Sequence, residues 1–448
     1  MIKIILIFSL LSYLSFSQDF NSEKYKEIAK KIYNHANKDS VSWERLAYLC
    51  DNFGHRISGS DDLENSINWI YDEMAKDGFQ NVKKEPVMVP TWIRGTAICT
   101  MTSPWEYNIP ILALGSSIAT PSDGIEAEVI IVKDFDDLEK QGSKAKGKIV
   151  LYNRAFTNYG ETVQYRLHGA VKAAEQGAVA SLIRSVTPHY DGQAHTGTSY
   201  YKDEVKKIPH AAISLEAVDI IQRLVDEGKS VKIKLNITSK YEPESLSHNV
   251  MCELVGSQYP NDIVAAGGHI DSWDVGQGAH DDAGPCVAVW EAVKLLKELN
   301  LVPKRTIRVV MWTNEENGLR GGTNYAEVHK DEPHHGLLEF DSGVFKPVGV
   351  GYSGNEKYFE KFKESEHLFK IINDVFEIKQ GGGGADISPM MKLGYTGMGL
   401  NVDSQNEYWR YHHSPNDTVD KVDKKVLNDC IAATALALFI YADLDIIE

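Results

Sequence analysis

The sequence predicts an α/β fold in which helices flank a mixed, largely parallel central sheet, with a β-rich segment inserted into the chain. From Asn249 onward, apolar strand-like runs alternate with amphipathic helical stretches, and this alternation is typical of a layered sheet with parallel strands. Upstream lie three short runs rich in β-forming residues, EAEVIIV (126–132), KIVLYN (148–153) and VKIKLNI (231–237). We therefore expect a main domain in two parts, 18–117 and 243–448, separated by an inserted domain at 118–242.

The first seventeen residues, MIKIILIFSLLSYLSFS, predict a secretory signal peptide over 1–17. One lysine precedes an apolar run from Ile4 to Leu14, and small residues follow at Ser15 and Ser17. A membrane anchor would need about 20 apolar residues, which is longer than this run, and we expect no later run to be long enough either. Cleavage after Ser17 would leave a secreted or periplasmic protein without a membrane segment.

Residues 23–85 have the pattern of amphipathic helices. Trp43, Leu46, Leu49 and Cys50 share one helical face. A second amphipathic stretch, SDDLENSINWIYDEM, follows a turn at Gly59, and either Ser60 or Asp61 is placed to cap it.

Charge and cysteine content exclude several classes of protein. The chain has 448 residues and a net charge of −16, without a basic stripe, which argues against nucleic acid or an anionic membrane as a partner. Its 5 cysteines lie far apart and form no CxxC pair, so they predict neither a zinc ribbon nor a disulfide scaffold.

Potential metal ligands follow several of the predicted strands. The run IVAAGGH (263–269) ends at His269, and TIRVVMW (306–312) precedes the pair Glu315-Glu316. Asp281 lies between the first of these strands and a helix that begins after it. Functional groups in open α/β sheets gather beyond the carboxyl ends of strands, where His269, Asp281 and the glutamate pair all fall. A hydrolytic two-metal site needs nitrogen and oxygen ligands from several strand ends, and one more carboxylate as a base. Two other segments could complete it: LLEFDSG (337–343) and YHHSPNDT (411–418).

Five motifs in order, GGHIDSW, GAHDDAG, WTNEENG, EFDSG and HHSPNDT, resemble the M28 family of co-catalytic zinc exopeptidases. Within that family the chain is most similar to the carboxypeptidase Q (plasma glutamate carboxypeptidase) branch, and the likeness spans the whole mature chain. The resemblance implies the zinc exopeptidase fold, an insert like a protease-associated (PA) domain, two Zn²⁺ per chain and a homodimer. It also implies cleavage of dipeptides or short peptides with free termini, as a carboxypeptidase or dipeptidase.

The same resemblance gives roles to individual residues. It implies that Asp281 bridges the two metals and that four further residues bind them: His269, Glu316, Asp341 and His413. His413 is preferred over His412 because it directly precedes the serine of the motif. Glu315 matches the general base, and Asp271 matches the acid that orients the metal-binding imidazole.

Other acids and histidines have simpler interpretations. Asp282 is expected to cap the following helix, Asp274 to be a loop acid, and His280 to have no assigned role. The pair His334-His335 lies in DEPHHG and is expected to be a solvated turn. His195 could reach substrate, although a surface position is the simpler expectation.

The sequence gives less information about the substrate pocket than about the metal ligands. Asp386, after the run Gly381–Gly384, could hold a peptide α-ammonium, and that run lacks the lysine of a phosphate loop. Tyr408, Arg410 and Tyr411 are candidates to meet a substrate carboxylate. An M28 aminopeptidase is the alternative activity. A single-zinc glutaminyl cyclase and a non-catalytic binding protein are the alternatives from other classes.

Overall fold

A computed structural model of the protein describes residues 22–38 and 41–445. The predicted signal peptide and its cleavage site lie outside these residues. The described strands are, in chain order, β1 (Gln80–Ile93), β2 (Ala97–Ser103), β3 (Tyr107–Asn108), β4 (Ile111–Ala113), β5 (Ile125–Val132), β6 (Ile149–Tyr152), β7 (Ala180–Arg184), β8 (His210–Ile213), β9 (Lys232–Ile237), β10 (Lys240–Leu254), β11 (Tyr259–His269), β12 (Arg305–Trp312), β13 (His334–Glu339), β14 (Lys346–Ser353), β15 (Glu377–Gln380) and β16 (Gly397–Asp403).

The described α-helices are α1 (Ser22–Ala36), α2 (Val41–Phe53), α3 (Asp61–Lys76), α4 (Phe135–Gln141), α5 (Tyr159–Glu175), α6 (Leu215–Asp226), α7 (Gly284–Glu298), α8 (Arg320–His329), α9 (Glu356–Lys363), α10 (Ser388–Lys392), α11 (Tyr408–Tyr411) and α12 (Lys424–Asp443). The hydroxyl of Ser60 caps α3 by accepting the N–H of Leu63, so Ser60 rather than Asp61 is the cap.

The larger sheet is mixed, with the order β1-β10-β12-β11-β13-β16-β14-β15. Its centre is parallel, because β11 pairs in parallel with both β12 and β13, and β13 pairs in parallel with β16. Helices cover both faces. The apolar sides of α1, α2, α3, α7 and α12 pack on one face, and those of α8 and α10 pack on the other. The predicted mixed α/β fold is confirmed, and the parallel centre brings three strand ends to one edge.

The last helix, α12, lies in the middle of this core. By length and composition it is apolar enough to cross a membrane, so the expectation that no later run is long enough is wrong. Within the structure, 89% of its most apolar window is buried, and it packs beside α7. Its all-round apolar character therefore matches its position between neighbouring helices and the sheet.

The second sheet has the order β3-β2-β9-β5-β6-β7-β8-β4. It begins earlier than the predicted inserted domain, because β2, β3 and β4 precede residue 118 and pair within this sheet. Its strands β5 to β8 are parallel and carry the helices α4, α5 and α6, so it is an α/β layer rather than a purely β-rich one. Its assignment as a PA domain stays a prediction.

A two-stranded ribbon connects the two sheets. β1 and β10 run antiparallel over most of their length, from the pair Gln80↔Glu253 to the pair Ile93↔Lys240. The predicted helical stretch to residue 85 is therefore wrong at its end. From Glu85 to Val89 the side chains are alternately buried and exposed, which is the period of a strand.

Candidate metal centre

Three neighbouring strands of the larger sheet end at one edge, and each end carries a potential metal ligand. His269 is the last residue of β11, Glu316 follows β12, and Asp341 follows β13. Asp281 lies in the turn Ala279–Ala283 directly before α7, and its own backbone, with φ −127 and ψ 81, is not helical. His413 comes from the loop after α11. Parallel pairing places these side chains together although the chain separates them widely.

Asp281 stands between two groups of side chains. Its Oδ1 is 3.3 Å from Nε2 of His269, and that nitrogen is 3.7 Å from Oδ1 of Asp341. Its Oδ2 is 3.3 Å from Nε2 of His413, which is 3.1 Å from Oε2 of Glu316. Each carboxylate oxygen of Asp281 therefore faces its own set of donors. This is the arrangement that a carboxylate shared by two cations requires.

The chemistry of these donors fits cations. Oδ2 of Asp281 and Oε1 of Glu316 are buried and have no hydrogen-bond partner. Burial raises the pKa of Asp281, and the charge of Asp341 adds to the effect. Burial likewise raises the pKa of Glu316 well above its usual range, and the charge of Asp281 adds to it. Carboxylates that are buried, close together and unpartnered are costly unless a cation neutralises them, and imidazole with carboxylate is a zinc ligand set.

The backbone around Asp281 is held by another acid, Asp417. Its Oδ1 accepts the N–H of His280 at 2.7 Å, and its Oδ2 accepts the N–H of Asp281 at 3.1 Å. The peptide bond between Asp281 and Asp282 is cis. Asp417 is not among the residues predicted for the site, although it lies inside the HHSPNDT motif, and that position is the signal in the sequence that points to it.

Asp271 is connected to the centre in a different way from that predicted. The backbone carbonyl of Asp271, and not its carboxylate, is the close partner of His269 Nδ1, at 2.9 Å against 3.8 Å. The carboxylate instead accepts the N–H of Glu315 at 3.0 Å and the N–H of Glu316 at 3.3 Å. The carbonyl thus fixes the orientation of the imidazole, and the carboxylate fixes the turn that carries both glutamates.

Glu315 is half-buried and lines the same cavity as the metal-facing acids. Desolvation raises the pKa of Glu315 to about 8, and the charge of Asp341 adds to the rise against the opposing effect of His269. The cavity has a volume of about 650 Å³. It is lined by residues of the larger sheet, by the loop around α11, and by four residues of the second-sheet segment: Tyr159, Arg166, Thr198 and Tyr200. Both sheets therefore contribute to the site.

Comparison with known proteins agrees with this geometry. The model of peptidase family M28 matches residues 249–438. Carboxypeptidase Q of Homo sapiens is 42% identical over 424 residues, which are 94% of this chain and 89% of that protein. The mouse carboxypeptidase Q is also 42% identical, over 94% of this chain and 90% of that protein. The chain belongs to peptidase family M28.

Comparison with solved structures extends this result to the fold. A peptidase M28 precursor from Shewanella amazonensis SB2B has a TM-score of 0.92 at 32% identity, over 95% of this chain and 98% of that one. BSAP, a zinc aminopeptidase from Bacillus subtilis, shares the fold at a TM-score of 0.64 and 20% identity, over 93% of this chain and 97% of that one. The predicted membership of the M28 exopeptidases and the resemblance to the carboxypeptidase Q branch are confirmed.

Two further residues reach the ligand cluster of this M28 chain. His412 stacks on His413 with ring centroids 3.6 Å apart, and its Nε2 is 4.0 Å from Oδ2 of Asp281. Asp282 also faces the cluster, but its Oδ2 accepts the backbone N–H of His269 at 3.0 Å. The expectation that Asp282 caps α7 is wrong, because no side chain caps that helix and Asp282 is buried beneath β11.

Several histidines are more buried than the sequence suggested. His334 begins β13 and its Nε2 lies 2.8 Å from the hydroxyl of Tyr325, so the expectation of a solvated turn is wrong. His195 is 1% exposed, and its Nδ1 lies 2.8 Å from the carbonyl oxygen of His412. A surface position for His195 is therefore wrong as well. The ring of His280 lies nearly parallel to the rings of both Phe345 and Tyr411, with centroids 4.7 and 5.0 Å away.

The predicted substrate residues lie in different surroundings. Tyr408 lines the cavity, whereas Arg410 and Tyr411 are not among the residues that line it. The guanidinium of Arg410 pairs with Glu407 and lies near His189. Asp386 is buried behind the cavity with both carboxylate oxygens unpartnered, and its neighbour Ala385 forms the wall. Asp274, expected to be a loop acid, forms an ion pair with Arg94.

Proposed function

We propose that this M28 chain is an exported di-zinc exopeptidase that hydrolyses dipeptides or short peptides with free termini, as a carboxypeptidase or dipeptidase. The observation that carries the proposal is the position of Asp281. Its two oxygens face separate donor groups, with Glu315 in the same cavity. The proposed ligands of the two Zn²⁺ are His269, Asp281, Glu316, Asp341 and His413.

Bound zinc would supply a more acidic water and a positive charge that stabilises the oxyanion of the reacting carbonyl. The other steps belong to the protein. Glu315 accepts a proton from the attacking water and returns it to the leaving amine. The carboxylate of Asp271 holds the N–H groups of Glu315 and Glu316, so the base and the adjacent ligand keep a fixed relation. The carbonyl of Asp271 keeps Nε2 of His269 directed into the cluster.

The size of the cavity supports short substrates. A volume of about 650 Å³ lies within the roughly 300–1,000 Å³ of small-molecule sites. Residues of the second-sheet segment, including Tyr159 and Thr198, form part of its wall and limit how far a peptide can extend. This segment is proposed to be the family's PA domain. Export by cleavage after Ser17 and assembly as a homodimer belong to the same proposal.

The proposed base can be tested by Glu315→Gln. The variant should keep its zinc, because Glu315 is not a proposed ligand, and should lower kcat for a dipeptide by about 10²–10⁴-fold. Glu360→Gln, which changes an exposed glutamate on α9, is the matched control and should retain wild-type kcat. A Glu315→Gln variant with near-normal kcat would show that Glu315 is not the general base.

The proposed specificity can be tested with unblocked dipeptides and their N-acetylated and C-amidated forms. Loss of cleavage on C-amidation alone supports a carboxypeptidase. Loss on either modification supports a strict dipeptidase. Loss on N-acetylation alone would identify an aminopeptidase and contradict the proposal.

A further inference from the structure

The proposed metal ligand His413 lies in a loop that a loop of the second-sheet segment contacts. The contacting loop, residues 187–196, lies between β7 and β8, and we call it the docking loop. It packs against residues 406–416, which include α11 and His413 and which we call the ligand loop. Hydrogen bonds between the two loops join Thr187 Oγ1 to the carbonyl oxygen of Trp409 (2.7 Å), His189 Nε2 to that of Asn406 (3.0 Å), His195 Nδ1 to that of His412 (2.8 Å), the N–H of Thr196 to that of His413 (2.9 Å), and Asn416 Nδ2 to Oδ2 of Asp191 (2.9 Å).

Thr196 contacts both the backbone and the side chain of His413. Its N–H donates to the carbonyl oxygen of His413 at 2.9 Å, and its own carbonyl oxygen lies 3.3 Å from Nδ1 of His413. The backbone of His413 has φ +58, a left-handed conformation that a residue other than glycine keeps where its surroundings hold it. Both residues are buried. Thr196 therefore constrains the backbone and the imidazole of His413 together.

The direction of the His413 imidazole depends on the carbonyl of Thr196. A neutral imidazole carries one proton, so when Nε2 binds a cation the proton lies on Nδ1. The polar groups near Nδ1 in the described part of the chain are this carbonyl and Nη1 of Arg166, at 3.1 Å. A guanidinium only donates, so the carbonyl is the group that can accept the proton. An acceptor of this kind fixes the tautomer and the ring direction of a metal-binding histidine.

His195 supports the ligand loop one residue earlier. Its imidazole is buried, and Nδ1 donates to the carbonyl oxygen of His412. Its Nε2 is buried and has no hydrogen-bond partner among the described residues, and His195 is not among the residues that line the cavity. Burying an imidazole costs free energy, and the bond to His412 offsets part of that cost. The ring is therefore placed to hold the ligand loop rather than to contact substrate.

We infer that the docking loop is a positioning element of the metal centre, in which the Thr196 carbonyl directs the imidazole of His413 and His195 holds the backbone beside it. The inference rests on the proposed function, because it takes His413 as a zinc ligand. Zinc bound by His413 and contact between the two loops then stabilise each other, and linkage requires the same factor in both directions. His269 and Asp341 make no hydrogen bond to the docking loop in the described structure. Zinc at their position should therefore not be coupled to it.

The zinc affinity of the full chain, measured by competition with a chelator, tests the inference. His195→Leu should weaken the binding of one of the two zinc ions by about 10- to 100-fold, as expected when a contact that orients a metal ligand is lost, and should leave the other ion almost unchanged. His195→Asn should recover most of the affinity, because its amide N–H can replace the N–H of Nδ1. His168→Leu, at an exposed position on α5, is the matched control and should bind both ions as wild type does.

Hydrogen exchange tests the coupling in the other direction. Zinc should slow amide exchange in residues 187–196 of wild type and of Asp341→Ala, which keeps His413. In His413→Ala, zinc bound at the remaining position should leave this exchange unchanged. Helix α4, in the same segment, is the reference and should not respond to zinc in any of these proteins.

The inference would be overturned if His195→Leu weakened both zinc ions equally or neither of them. It would also be overturned if zinc slowed exchange in the docking loop of His413→Ala as much as in wild type. Thr187→Val is a milder second variant in case His195→Leu does not fold, because it removes only the hydroxyl that donates to Trp409. It should weaken the same single ion by a smaller factor, and wild-type affinity for both ions would contradict the inference.

These measurements do not depend on hydrolysis, so they separate the inference from the proposed function. The predicted loss of one zinc affinity in His195→Leu, in a protein whose wild type cleaves no dipeptide, would contradict the proposed function but keep the inference. Dipeptide cleavage by wild type, with both zinc affinities unchanged in His195→Leu, would do the reverse.

Discussion

Asp271→Asn replaces a carboxylate with an amide of similar shape, and we predict that it lowers activity while both zinc positions stay filled at saturating zinc. In the protein, one oxygen of Asp271 accepts the N–H of Glu315 and the other accepts the N–H of Glu316, at 3.0 and 3.3 Å. Asparagine has one accepting oxygen, so its NH₂ group would face one of these N–H groups as a second donor. The carbonyl that orients His269 is unchanged.

The size of the effect follows from the lost contact. A hydrogen bond to a charged group contributes about 1.5–3 kcal/mol, and a buried donor left without a partner costs about 1–3 kcal/mol. If about 3 kcal/mol of this appears as poorer placement of Glu315 in the transition state, kcat/KM falls by about 150-fold.

The assay combines kcat/KM for a dipeptide, zinc content and thermal unfolding, with the exposed Asp123→Asn as control. Wild-type kcat/KM in Asp271→Asn at full zinc content would refute the reasoning. So would a variant that regains normal kcat only when its zinc is restored.

Three further changes test other parts of the structure. Arg45→Met removes the cation that Asp77 and Glu291 share, and only Glu291 keeps another, Lys294 at 3.3 Å. The substitution should destabilise the protein by about 3–5 kcal/mol in urea unfolding, and an unchanged midpoint would refute the stabilising role of this ion network. Burial lowers the pKa of His334 to about 4. The pKa of histidine in an unfolded chain is about 6.5. The stability that neutral His334 contributes is therefore complete above pH 6.5 and is lost as the pH falls towards 4. Between pH 7.5 and pH 5, wild type should therefore lose about 2 kcal/mol more stability than His334→Gln. Equal losses would contradict the claim that His334 is neutral in the folded protein. His413→Ala should lower zinc content to about one ion per chain, whereas His412→Ala should keep two; the reverse would make His412 the ligand.

The positions of the proposed ligands could be predicted because strand ends and motifs agree. The apolar runs before His269 and Glu315 are long enough to be strands, and parallel pairing of β11, β12 and β13 carries their ends to one edge. The sequence also indicated β5, β6 and β9, whose alternating or continuous apolar patterns are local. Local patterns of this kind do not depend on distant partners, so they can be read before the structure is known.

Features that depend on tertiary contacts could not be predicted. Asp282 precedes a helix, as a cap would, but burial under β11 makes the N–H of His269 its partner. The two histidines of DEPHHG follow a proline, yet the strand pairing of β13 with β11 carries them into the protein. The segment before residue 118 contains short strands whose only signal is their pairing with distant strands such as β9 and β8.

The basic residue of the pocket illustrates the same limit. Arg410 lies close to the zinc motif in sequence, and this proximity made it a candidate for the substrate carboxylate. In the structure Glu407, three residues earlier, pairs with it. Arg166 is 247 residues from His413, and only the packing of the second sheet against the first brings them to 3.1 Å.

Zinc content per chain tests the central claim most directly, because Asp281 is proposed to be shared by two ions. We predict two zinc ions per chain in the purified wild-type protein by mass spectrometry of the metal. In Asp281→Ala we predict loss of zinc from both positions, with the fold retained by circular dichroism. One zinc per chain in wild type, or two in Asp281→Ala, would contradict the shared-carboxylate centre.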